Sequence, residues 1–217
     1  MIPLFRRPFS ARPRAVFANS QSVLTVFRSP VLVAALWIGM SGIASAHSFT
    51  AALLVVGDDR EASLAEAIRG FLLAADERDG HANETSDGHL GGVDVHVLPL
   101  PRDAAGFVEG LTGTPGVPPD VVVVLGPEPA ASAAGRAYPP ERTVLVQDVL
   151  PAGWEGDGQM DSFTARYRLA HGTAPSAMAA TAYHAARRLD AAIRPLDGVS
   201  PQAALEEAWR STESGLP

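Results

Sequence analysis

Four consecutive valines, Val121 to Val124, followed by Leu125, constrain this chain more than any other feature. A strand with one wet face alternates apolar and polar residues, and this one does not. It must be covered on both faces, which places it at the centre of a parallel sheet with helices above and below. Asp120 precedes the run, and Gly126-Pro127 stops it.

Three further runs read as strands around it. Residues 51–56 (AALLVV) form a short apolar run ended by Gly57-Asp58-Asp59. Residues 93–98 (VDVHVL) alternate and are followed by Pro99 and Pro101. Residues 143–147 (TVLVQ) give a fourth strand. Helical patterns lie between them. Ser63-x-x-Glu66 reads as a capping box, with Leu64, Ile68, Phe71, Leu72 and Ala75 as the apolar face behind it. Residues 79–92 read as a polar loop. Phe107, Val108 and Leu111 mark a second helix, and residues 130–136 a short third one. Strands spaced by helices of this length predict right-handed β-α-β units. The expected fold is therefore α/β: one Rossmann-like lobe, with a parallel sheet of about four strands and helices on both faces.

The last part of the chain is helical. Phe163, Tyr167 and Ala170 share one face, and Gly172 stands where that helix stops. Pro175 opens the next helix, whose stripe is Met178, Ala182, Ala186, Leu189 and Ile193. Pro195 closes it. Ser200 and Pro201 start a final helix to Arg210.

The start of the chain reads as an export signal. Arg6, Arg7, Arg12, Arg14 and Arg28 make it basic, an apolar run begins at Val31, and Ala44-Ser45-Ala46 fits the small-residue cleavage rule. The expected organisation is a signal peptide over residues 1–46 and one α/β domain over 47–217, in the periplasm. An uncleaved single-helix anchor is the alternative. Removing those five arginines from 17 basic residues leaves 12 against 24 acidic ones, a balance of −12. That balance argues against a nucleic-acid partner, which requires a basic face.

Cysteine and lysine are both absent. Thiolate catalysis, thiolate metal sites, a P-loop lysine and Schiff-base chemistry are thereby excluded. No G-x-S-x-G elbow and no G-x-G-x-x-G follows a strand. No enzymatic role, no cofactor and no metal site is therefore expected. Val-Val-Gly57-Asp58-Asp59 is similar to the acidic pocket of receiver domains. The third strand lacks the aspartate such a domain phosphorylates, and the lysine is missing. His81, His89 and His96, near Asp79, Glu84 and Asp87, match no strong metal spacing, and neither does His47. His184 adjoins an apolar stripe and reads as partly buried rather than catalytic.

The order of these motifs carries a resemblance. The F-x3-Y-x4-G-x2-P pattern from Phe163 to Pro175, followed by Y-x-A-x3-L-x3-I from Tyr183 to Ile193, resembles the closing helices of type 1 periplasmic binding proteins. The branched-chain amino-acid type of ABC-transporter receptor is the nearest. The opening strand and helix, Gly91-Gly92, and the segment from Pro119 to Pro127 are similar to the first lobe of such receptors. The Gly/Pro-rich segment 151–158 stands where the second lobe would be. The resemblance implies a shortened receptor that lacks that lobe and binds an amino acid or other small solute, weakly or as an accessory. It implies an ABC permease or periplasmic partner protein, and a ligand site at Gly57, Asp58, Gly126 and Ser132. Pro127 and Pro129 remove two N–H donors from that site, and Glu128 opposes a ligand carboxylate. The other reading is an interaction or structural protein that kept the lobe and lost the ligand, with a homodimer as one form.

Overall fold

The computed structural model describes residues 48–78, 85–100, 118–150, 152–156 and 162–214. The signal segment, the helix expected around Phe107, and His47, Asp79, His81 and Glu84 lie outside these residues. All described residues fall within one unit, Ala44–Pro217. No helix among them is long and apolar enough to cross a membrane.

Five strands form one sheet. They are β1 (Ser48–Val55), β2 (His89–Leu90), β3 (Val93–Pro99), β4 (Val121–Leu125) and β5 (Thr143–Gln147). The order is β2-β3-β1-β4-β5. The valine run is β4, fully buried as its composition requires, and it lies between β1 and β5, parallel to both. β1 is also parallel to β3. The sheet is mixed, not the purely parallel one expected, because β2 pairs antiparallel with β3 through His89↔Asp94 and Leu90↔Val93. These two residues fall in the stretch read as a loop. A two-residue strand has no periodicity to read.

Helices cover both faces. Residues Ala51, Leu53, Val55, Val95, Val121, Val123, Leu125 and Leu145 turn to one side. There they meet α1 (Arg60–Asp76), α4 (Ala177–Ile193) and α5 (Gln202–Ser211). Ala52, Leu54, Val122 and Val124 turn to the other, against Ala131 of α2 (Ala130–Gly135) and Tyr138. This is the period-two alternation of a strand buried on both sides.

α1 and α4 pack directly on each other. A Cβ at Gly70 would lie 2.0 Å from the Ala179 carbonyl oxygen, so the approach requires glycine. Leu73 joins Tyr167 and Ala179 in a small apolar cluster. α3 (Phe163–His171) closes this end. Of its expected face, Tyr167 is buried and Phe163 half-buried, but Ala170 is exposed.

The helix ends correct the sequence reading in three places. α1 starts at Arg60, and its N-cap is Asp59 in the left-handed region (φ 48°), so Ser63 lies inside the helix and caps nothing. Its amide donates to the Asp59 carbonyl instead (2.9 Å). α4 is capped by the Ser176 hydroxyl, which accepts from the Ala179 amide, one residue after Pro175. α5 has Pro201 at its N-cap and no side-chain cap, so Ser200 plays no capping part. Gly172 does end α3 in the left-handed region, at φ 71°.

Candidate functional site

Taken in chain order, the parallel strands run β3-β1-β4-β5, that is 2-1-3-4. The direction of winding reverses between β1 and β4. Ligands of open α/β sheets bind outside the carboxyl ends of the strands at such a point. Here those ends are Val56-Gly57-Asp58 and Leu125-Gly126-Pro127.

The structure brings the two predicted glycines together. The Val56 amide donates to the Leu125 carbonyl (2.9 Å). Gly126 has φ 146°, and a Cβ there would stand 2.5 Å from the Val56 carbonyl oxygen. Gly57 has φ 112° and faces the Pro127 ring, whose Cδ would lie 3.6 Å from a Cβ at Gly57. Both positions need glycine for conformation, and Gly126 needs it for space as well. Asp58 is exposed at the rim. Arg60 Nε donates to the Gly57 carbonyl (3.0 Å), so this cation is partly committed to the backbone.

The polar groups after β4 are also engaged. The Gly126 amide donates to the Gln147 carbonyl (3.2 Å). The Ser132 hydroxyl donates to the Glu128 carboxylate. Ser132 lies on α2 and lines an open hollow of about 210 Å³ with Gly135, Arg136, Val144 and Val146. Ligand pockets usually measure ~300–1,000 Å³, so this hollow suits only a small or partly covered molecule. Asp58, Asp59 and Glu128 give the strand-end rim a negative character, which disfavours an anionic ligand.

Sequence reasoning missed Arg188, which is buried at the carboxyl end of β5. Its Nη1 donates to the Gln147 side-chain oxygen (2.7 Å), its Nε to the Thr212 hydroxyl (2.8 Å) and its Nη2 to the Trp209 carbonyl (3.0 Å). The guanidinium also stacks 4.0 Å from the Trp209 ring. Burial pulls its pKa below the usual arginine value, with the charges of Glu213 and Asp148 opposing. This network fastens the end of α5 to the end of β5. The signal for it was the spacing of Thr181, Ala185, Arg188 and Ala192, which puts Arg188 on a buried face. Next to it, His184 is half-buried, and its pKa is lowered by burial and then by the Arg188 charge.

Phe163, Tyr167 and Tyr183, which carry the family resemblance, are packing residues here. The Phe163 ring centroid lies 4.7 Å from that of Tyr183 and 5.7 Å from that of Tyr167. The Tyr167 hydroxyl donates to Glu66 (2.8 Å), and burial, helped by Glu66, pushes its pKa up to about 12. The Tyr183 hydroxyl donates to Glu77 (2.7 Å), which also receives Arg166 Nε (2.6 Å). These bonds tie α3 and α4 to α1.

No group of metal-ligating side chains occurs among the described residues. His89 pairs with Asp94 (2.6 Å), and Asp87 accepts from the Val97 amide (2.8 Å), so both are engaged within the β2–β3 region. No protein-family model, curated protein or solved structure matches this chain.

Proposed function

We propose that this chain is a single Rossmann-like lobe of the solute-receptor kind, exported to the periplasm and related to the amino-acid receptors of ABC transporters. Its role is accessory or weakly binding, beside a permease or another periplasmic protein. The observation that carries this reading is the switch point between β1 and β4, where Gly57 and Gly126 let the two strand ends meet under an open rim. The order of the motifs, from the opening strand to the Tyr183 helix, adds the family.

The same geometry predicts low affinity. The Ser132 hydroxyl and the Gly126 amide already have partners, and the rim carries Asp58 and Glu128. A single lobe leaves half of a ligand in water, whereas closed sites cover ~70–90% of it. Binding of any small amino acid is expected at high micromolar Kd or weaker. Ser132→Ala should weaken it further. Calorimetry against branched-chain and other small amino acids tests this, and submicromolar binding by a monomer would refute it.

A second reading is an interaction protein that kept the lobe without its ligand. Val149 and Leu150, 63% and 39% exposed just beyond β5, favour it. Absence of any amino-acid binding together with a stable dimer would select this reading.

A further inference from the structure

We propose that the hollow between α2 and β5 binds a small carboxylate with a short aliphatic tail, the tail lying on Val144 and Val146 and the carboxylate paired with Arg136. The inference does not rest on the solute-receptor reading. The hollow opens on the flank of α2, not between the Gly57 and Gly126 strand ends, and it asks for no amino group on its ligand.

Two periodicities make the hollow. Ser132, Gly135 and Arg136 stand at i, i+3 and i+4 along α2 and its C-cap, so they share one face of the helix. Val144 and Val146 are two apart on β5 and turn together toward that face. Both valines pack at the border of the Ala52, Leu54, Val122 and Val124 cluster, yet both stay half-buried, so apolar surface is left uncovered beside α2. Gly135 keeps the space open. A Cβ there would lie 3.1 Å from Val146 Cγ2 and 3.6 Å from Val144 Cγ1, on the floor of the hollow.

Charge selects the occupant. Arg136 is exposed, and its guanidinium has no hydrogen bond or ion pair among the described residues. Arg166 and Arg194, by contrast, are taken up by Glu77 and Asp190. A free guanidinium offers a planar fork that pairs with both oxygens of a carboxylate. Glu128, which accepts from the Ser132 hydroxyl, stands beyond the other end of the hollow. At the helical rise it lies roughly 12 Å from Arg136 along the axis, further than the ~8 Å over which exposed charges act in physiological salt. It keeps an anion away from the Ser132 end and leaves Arg136 as the place for it.

Volume sets the length of the tail. A water-sized group takes about 30 Å³, so the 210 Å³ of the hollow holds about seven heavy atoms. Isovalerate, a carboxylate on an isobutyl tail, has that size.

Amide chemical-shift titration of the full chain with isovalerate tests this. The Gly135, Arg136, Val144 and Val146 resonances should move together and saturate with a Kd of about 1 mM, in keeping with so small a ligand. Acetate, which lacks the tail, and 3-methylbutan-1-ol, which lacks the charge, should each bind about tenfold more weakly or worse. 3-Methylbutylamine, which reverses the charge, should leave these resonances unmoved. Arg136→Gln, an exposed change, should reduce isovalerate to the affinity of the alcohol. Gly135→Ala fills the floor and should abolish the binding of both. Shifts centred on Gly57 and Gly126 instead would overturn the proposal. So would an alcohol or amine that binds these residues as tightly as isovalerate, an Arg136→Gln protein with unchanged affinity, or no saturable shift at about ten times the expected Kd.

Discussion

Replacing Gly70 by alanine should destabilise this protein, although the same change in an exposed helix would stabilise it. Alanine is favoured over glycine inside a helix by about 1 kcal/mol. At Gly70, however, the added methyl would lie 2.0 Å from the Ala179 carbonyl oxygen, 2.8 Å from its carbon and 3.0 Å from its Cα. All three are backbone atoms of α4, so no rotamer change relieves the contact. An ordinary nonbonded separation is roughly 3.5 Å, so α1 and α4 must part by about 1.5 Å. That movement loosens the Leu73, Tyr167 and Ala179 cluster and stretches the Tyr167–Glu66 and Tyr183–Glu77 bonds. Overpacking costs about 1–3 kcal/mol, occasionally more, and a backbone contact this short belongs at the upper end. Less the helix-propensity gain, a net loss of about 2 kcal/mol remains. For a domain of this size the melting temperature should fall by about 4–8 °C. Thermal unfolding followed by circular dichroism measures this. An unchanged or raised melting temperature would show that the two helices do not meet at Gly70.

Two further outcomes follow from the buried polar groups. Arg188→Met should cost roughly 3 kcal/mol or more, because Gln147, Thr212 and the Trp209 carbonyl lose their partner together, and Trp209 fluorescence should change with it. A urea midpoint equal to wild type would refute that. Tyr167 has its folded-state pKa raised from 10.0 to about 12, so its contribution is complete below pH 10 and is lost as pH rises toward 12. Tyr167→Phe should therefore flatten the alkaline fall in stability over that window, and an unchanged slope would count against it.

Much of the fold was legible because the strands are short apolar runs with hard stops. The valine run could only be central, and Gly126-Pro127 could only end it. What was not legible depends on distant partners. β2 is held because the Gly91 amide donates to Asp190 Oδ1 (2.8 Å), 99 residues later, and Asp190 in turn binds Arg194 (2.7 Å). No local pattern contains that. The Ser63-x-x-Glu66 match failed because Asp58-Asp59 turns the chain into a helix four residues sooner, which frees Glu66 to receive Tyr167. At the candidate site the two glycines were legible as strand stops. The engagement of Ser132 by Glu128 was present in their four-residue spacing, but only once α2 was known to begin at Ala130.

The packing of α1 against α4 also sets an order of events for a chain being made. Glu66 and Glu77 wait for tyrosines 101 and 106 positions further on. Until residues 177–193 have left the ribosome, the Gly70 side of α1 lacks the cover that α4 supplies. Contacts of such long sequence separation form late and slowly. The half-made protein is therefore an unclosed sheet with a sticky flank, and it becomes a folded domain only when its last helices arrive.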